Sequence, residues 1–337
     1  RIDFSNDAKG ALLLEPSRSN YIPYSTLDFD GGVKPNGWSI GFGTGSYSYE
    51  QLTYKGQKAV KQTQITTGRS YLDTGSITIL ANTEHTLKIQ FILNECVADA
   101  NDNILSFISF GASAIYKFSD IDSNGVLEIQ FNPLSDNVGS LRIGLGVDQN
   151  ATGSKSLAWA IPQLEQGSYA TSYIPTQGSA VTRSAENITQ TTPNLSNSQE
   201  VTAFIDLGAR PVTGINSTSN NFRLDFGTGN TRIIYNQNGS SNHRIELNIN
   251  GSATYYTLSN LLTTTRVKIG VSVTPTTLVI YANGVEYHSV SIASADWSNL
   301  LAIETSITEA IGNIKINDFK VYNTALTDSE LQALTKI

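Results

Sequence analysis

The chain has 337 residues, a net charge of −7, only 15% charged residues and one cysteine, Cys96. That length suffices for two domains with cores of their own. The weak acidity lacks the basic footprint of nucleic-acid binding, a lone cysteine excludes an internal disulfide framework, and no window holds the roughly 18 consecutive apolar residues of a membrane-spanning helix. Methionine is absent and the chain opens on Arg1, which reads as a piece of a longer product.

Arg1–Gly10 has no period and is expected to pack along the first domain. Ala11–Leu14 is a short apolar strand, ended near Pro16, which has no N–H for a ladder. Tyr24–Trp38 is loop-like, broken by Asp30-Gly31-Gly32 and Pro35-Asn36-Gly37. Gly41–Ser46 has the glycines of a phosphate loop, but the alternation of Tyr47, Tyr49 and Gln51 predicts a strand where such a loop needs a helix. Leu87, Ile89, Phe91 and Leu93 alternate with Thr86, Lys88, Gln90 and Ile92. Leu141, Ile143, Leu145 and Val147 alternate with Arg142, Gly144 and Gly146, and Leu157, Trp159 and Ile161 with Ala158 and Ala160. A period of two predicts strands with one face on a core. Ser119–Gly125 joins two more, Ala114–Phe118 and Val126–Phe131. Ser184–Ser198, rich in Asn, Thr and Ser and broken by Pro193, reads as the link to a second domain.

Beyond it, Val201, Ala203, Ile205 and Leu207 alternate, as do Val267, Ile269, Val271 and Val273. Asn250-Gly251 and Asn283-Gly284 predict type I′ hairpins, because that turn needs positive φ at both central residues. After a strand at Ile314–Tyr322, Thr327 and Glu330 form a capping box, with Leu326 and Leu331 at its staple positions, so a short helix closes the chain. No helical period of useful length precedes it. The expectation is all-β: two tandem sandwich domains, 1–184 and 185–337, with a short C-terminal helix.

Two motifs are more specific. Leu12–Asn20 reads LLLEPSRSN, with Tyr24-Ser25 after it; Pro162–Thr176 reads PQLEQGSYATSYIPT, with Val181-Thr182-Arg183 after it. As a pair they resemble segments of bacteriophage tail and fibre proteins and of some carbohydrate-binding modules. Phe319–Leu334 (FKVYNTALTDSELQAL), with the YANGVEY hairpin at Tyr281–Tyr287, resembles the end of concanavalin A-like, laminin-G-like domains. The first resemblance covers most of residues 11–183 and the second roughly the last 140 residues. Together they imply a jelly roll followed by a concanavalin-like sandwich. They imply a virion protein, a fibre or tail-associated piece, homo-oligomeric and trimeric in the usual case, that touches other virion proteins and a surface glycan of a bacterial host. The alternative is an accessory carbohydrate-binding region of a secreted polysaccharide-degrading enzyme; a third reading is a glycosidase or lyase.

Catalytic patterns are weak. His85, His243 and His288 are scattered over predicted strands, and no Gly-x-Ser-x-Gly elbow occurs. Glycosidases flank the bond with two carboxylates; the nearest pattern, Glu246-Leu-Asn248-Ile-Asn250, keeps one and replaces the others with amides. The expectation is a non-enzymatic protein with no required cofactor. Asp120-x-Asp122-x-Asn124-Gly125 matches half of a calcium loop, but Phe131 stands where the bidentate Glu belongs, so a hairpin turn is the better reading; the resemblance leaves structural calcium as an expectation. Sugar rings pack on aromatics, and the exposed aromatics expected here are Tyr47, Tyr49 and Tyr54, the pair Tyr255-Tyr256, and Trp297, with the loops around Tyr47 and Trp297 foremost. Trp159 is assigned to the core, and Gly167–Arg183 to an ordered exit path held by Tyr169, Tyr173 and Pro175.

Overall fold

A computed structural model describes residues 2–3, 11–41, 45–108, 114–133, 137–186, 189–191, 199–208, 220–226, 230–238, 242–261, 266–298, 300–304 and 314–337. Its strands pair antiparallel throughout and build two compact units, each a two-sheet β-sandwich. One unit is Arg18–Arg183; the other combines Arg1–Ser17 with Ser184–Ile337. The first unit is therefore an insertion into the second.

The expected division at residue 184 places the chain's beginning in the wrong sandwich. Ala11–Leu14 pairs with Ile314–Tyr322, Leu12 opposite Ile316, and Ile2–Asp3 pairs with Ala11–Leu14. The cause is burial: Leu14 is 2% exposed in the core of the later sandwich, so this apolar strand buries its side chains at the edge of a sheet completed by the end of the chain.

In the inserted unit one sheet runs 115–117, 103–108, 137–145, 70–73, 39–40, with 77–79 also on 137–145; the other runs 126–131, 85–91, 155–166, 57–64, 47–54. The alternating residues meet between them: Leu87, Ile89, Leu141, Ile143, Leu145, Leu157 and Trp159 are all fully buried. Trp159 packs on Trp38 with ring centroids 5.1 Å apart. The alternation stops at Ile161, which adopts φ 45°; the register shifts between Ala160 and Gln163. This bulge, beside a proline that cannot join a ladder, turns Ile161 to the opposite face, against Ala59, Ala158 and Ala160. Leu93 lies beyond its predicted strand, in a 3-10 turn.

In the other unit a seven-stranded sheet (2–3, 11–14, 314–322, 201–207, 267–273, 277–282, 285–291) faces a six-stranded one (189–191, 300–304, 220–226, 231–238, 242–249, 252–258). Both Asn-Gly turns form as predicted, with φ of 51° and 87° at Asn250 and Gly251 and 50° and 78° at Asn283 and Gly284. The helix Asp328–Thr335 starts at the Thr327–Glu330 capping box and buries Leu331.

Candidate functional site

Within the inserted unit the end of the first motif, Arg18–Asn20 with Tyr24-Ser25, interlocks with the second, whereas Leu12–Ser17 belongs to the other unit. Asn20, fully buried, donates from Nδ2 to the Ile174 carbonyl at 2.9 Å and more weakly to that of Pro162 at 3.4 Å. Its Oδ1 accepts from the amides of Ile22 and Leu164 at 3.2 and 3.1 Å. Ser25 and Thr176 exchange three bonds of 2.8 to 3.0 Å, and Tyr173 Oη donates to the Ser25 carbonyl at 2.6 Å. Burial pushes the Tyr173 phenol up to about 12. Gln163 Oε1 accepts from Ile174 N, and Glu165 accepts from both the amide and the hydroxyl of Thr171. Burial raises the Glu165 pKa, an effect opposed by those hydrogen bonds. Gly167 adopts φ 133° where a Cβ would lie 2.7 Å from Arg18 Nη2, and the Arg18 guanidinium stands 5.4 Å from the Tyr169 ring centre. The incoming strand Arg18–Asn20 pairs with the outgoing Val181–Arg183. These residues are spent on holding the exit path, which leaves them no sugar to bind.

The six candidate aromatics divide between the units. Tyr47, Tyr49 and Tyr54 share one edge strand of the inserted unit. Tyr47 and Tyr49 meet edge-on at 5.8 Å, and Tyr49 is tied down by a 2.8 Å bond to Ser70 Oγ, with burial raising its phenol pKa. Tyr54 points to the other face, against the small cluster of Ala59 and Ala158, with Lys55 Nζ 5.1 Å from its ring centre. All three are partly exposed, and Tyr49 is the one held by a side-chain hydrogen bond.

In the other unit the expectation for Trp297 is corrected. It is 1% exposed, set edge-on to Phe226, and donates to the Thr274 carbonyl at 2.9 Å. Its segment is irregular, but the indole fills the core and its N–H has a partner there, so no solvent face remains. Tyr256 is half-buried against the core and edge-on to His288. Tyr255 is the member that stands in solvent, 53% exposed.

Tyr255 belongs to the non-core face of the six-stranded sheet, and register fixes its neighbours. It lies opposite Glu246, Arg244 opposite both Thr257 and Asn236, and Asn248 opposite both Ala253 and Arg232. Residues two apart on a strand share a face, so Arg244, Glu246 and Asn248 form a polar row beside Tyr255. The Arg244 guanidinium stacks 4.2 Å from the Tyr255 ring centre. Asn236 Nδ2 donates to Glu246 Oε2 at 3.0 Å. Farther in, Arg223 and Arg232 share Asp225 at 2.8 and 2.9 Å. Asn236 Oδ1, Asn248 Oδ1 and Arg244 Nε are buried with no hydrogen-bond partner among the described residues. The sequence reading found Tyr255 but missed Arg244, Asn236 and Asn248 as its companions. A signal was there: the two-residue Asn250-Gly251 turn makes Ile249 pair with Ser252, and counting back sets Glu246 against Tyr255.

Asp120, Asp122 and Asn124 form a turn. Asp122 Oδ1 accepts from the amides of Asn124 and Val126 at 2.9 and 2.7 Å, and Asp120 Oδ2 from that of Lys117 at 2.8 Å. One oxygen of each carboxylate is thus committed to backbone amides, as in an Asx turn. The histidines lie in strands, each with a local partner: His85 Nδ1 with the Thr83 carbonyl at 2.9 Å, His243 Nδ1 with Tyr235 Oη, and His288 Nε2 with the Thr257 carbonyl at 3.0 Å. No described helix is long and apolar enough to cross a membrane.

Fold and site together define a class: an all-β chain in which one sandwich is inserted into another, with a polar sheet face bearing an exposed tyrosine. No family model and no curated protein matches the chain. Solved structures similar to it in part include a pentraxin from Limulus polyphemus (11% identity, TM-score 0.35, 44% of this chain and 75% of that one). Another is domain 4 of an extracellular arabinanase from Geobacillus stearothermophilus, in complex with arabinotriose (17% identity, TM-score 0.34, 43% and 71%). A third is a carbohydrate-binding module of a Ruminococcus gnavus sialidase, bound to sialyllactose (13% identity, TM-score 0.33, 44% and 98%). Likenesses this weak assign no ligand to this chain.

Proposed function

We propose that this chain is a non-enzymatic glycan-binding display protein, a fibre or tail-associated component of a bacteriophage virion that attaches to a surface glycan of a bacterial host. The observation that carries the binding reading is the sheet face at Tyr255, where a half-exposed ring adjoins Arg244, Glu246 and Asn248. Sugar rings stack on such aromatics, and amide and carboxylate groups bond their hydroxyls. The virion reading rests on the paired motifs, which the structure explains as an architectural lock. Open sites of this kind bind weakly one at a time, and a homo-oligomer, in the usual fibre case a trimer, gains affinity through avidity.

The non-enzymatic reading draws on the same face. Glu246 bonds an amide, and its neighbours along the strand are Arg244 and Asn248 rather than a second acid. Asp225, two strands away, is held by two arginines, so among the described residues of this face Glu246 has no second free carboxylate beside it, such as glycoside hydrolysis uses.

The test is a glycan array probed with the multivalent protein, repeated with Tyr255→Ala. Retention on a defined set of glycans, lost in the variant at unchanged melting temperature, is the expected result. No retention on any glycan, or full retention by the variant, refutes the assignment.

A further inference from the structure

On the face described above, Arg223 and Arg232 are answered by Asp225, but Arg244 forms neither an ion pair nor a hydrogen bond among the described residues. Its one contact of note is the stacking on Tyr255 at 4.2 Å. Glu246, two residues along the same face, turns instead to Asn236 at 3.0 Å. The sheet thus holds a guanidinium over a tyrosine ring with no ion pair among the described residues. Beside it, the Oδ1 atoms of Asn236 and Asn248 are buried acceptors with no donor among the described residues.

Arg244, partly exposed and without an ion pair among the described residues, is the group on this face that an anionic ligand can answer. An arginine edge is best met by a carboxylate, whose two oxygens match the guanidinium fork, with bonds about twice as strong as neutral ones. The contact with the ring restricts the side chain in advance, so less freedom is lost when the fork is engaged. Glu246 and Asn248, both partly exposed, are polar groups of the kind that bond sugar hydroxyls.

We infer that the glycan bound at this face is acidic, its carboxylate received by Arg244 and its hydroxyls by Glu246 and Asn248; this rests on the glycan-binding reading above. Arg244 and Asn248 are four residues apart on one strand, about 13 Å at the usual rise. That span sets the carboxylate and the farther hydroxyls on neighbouring rings of an oligosaccharide. A neutral glycan would leave the Arg244 charge without an ion pair among the described residues.

The experiment compares the multivalent protein on carboxylated oligosaccharides, each paired with its carboxyl-reduced form, and on sulfated analogues of equal charge. Carboxyl reduction is expected to weaken retention about tenfold or more, on the scale of one charge-assisted bond. Arg244→Gln should erase the difference between the members of a pair, and Arg244→Lys, which keeps the charge but not the fork, should restore part of it. Equal binding to both members, equal binding to sulfated analogues, or an acid preference that survives Arg244→Gln overturns the inference while leaving glycan binding intact. Binding to no member of the panel overturns both.

Discussion

Replacing Asn20 with Ala tests whether the paired motifs act as a lock. The side chain is fully buried, and its loss orphans the amides of Ile22 and Leu164 and removes the stronger donor to Ile174 O. A buried group left unpaired costs about 1–3 kcal/mol. Two amides set a floor of about 2 kcal/mol, and the carbonyl brings the expected loss to about 3–5 kcal/mol. Against a stability of about 5–15 kcal/mol for a domain this is a large fraction. Guanidinium unfolding followed by tryptophan fluorescence measures it, since Trp38 and Trp159 report on the inserted unit and Trp297 on the other. Asn20→Leu fills the volume without the bonds and should lose nearly as much. A loss below about 1 kcal/mol for both variants, within the range of an ordinary surface change, would refute the lock.

Other outcomes follow from single residues. Burial lowers the His85 pKa below 6.5; the folded state then resists protonation, so stability is full above pH 6.5 and falls as pH drops through the interval beneath it. His85→Phe should flatten that decline in a pH series of melting curves, and an unchanged slope would count against the assignment. Trp297→Ala empties a core position and should cost about 3–5 kcal/mol in the outer unit, measured by denaturant unfolding, where Tyr255→Ala should cost little. Thr327→Ala removes the helix cap and should lower the stability of that unit by about 1 kcal/mol; no change in unfolding midpoint would show the helix is held by Leu331 alone.

Local chemistry was legible in the sequence, and distant pairing was not. The Asn-Gly turns and the capping box rest on residues within a few positions of each other, and the structure shows them; the alternation expected through Leu157, Trp159 and Ile161 holds only as far as Trp159. Ala11–Leu14 was read correctly as a strand and placed in the wrong sandwich, because its partner Ile314–Tyr322 lies about three hundred residues away and both sheets accept an apolar strand. Trp297 misled because an irregular segment suggests exposure, whereas the indole N–H finds the Thr274 carbonyl inside. The bulge at Ile161 was foreshadowed by Pro162, but only its φ of 45° shows which way the side chain turns.

The insertion has a consequence for synthesis on the ribosome. The strand Ala11–Leu14 emerges first and waits for Ile314–Tyr322, nearly the last segment made. Arg18–Arg183 has all its pairing partners within itself, and domains fold as units in the order they emerge. The inserted sandwich therefore closes while the outer one is still being translated, and the Arg18–Asn20 pairing with Val181–Arg183 brings the two flanking segments together early. Glu15 and Glu186 are then neighbours, joined by a 2.9 Å backbone bond in the finished fold, and the loop left to close shrinks from about three hundred residues to about half that. Nascent chains stalled after Arg183 should resist protease across the inserted sandwich while the leading strand is still cut.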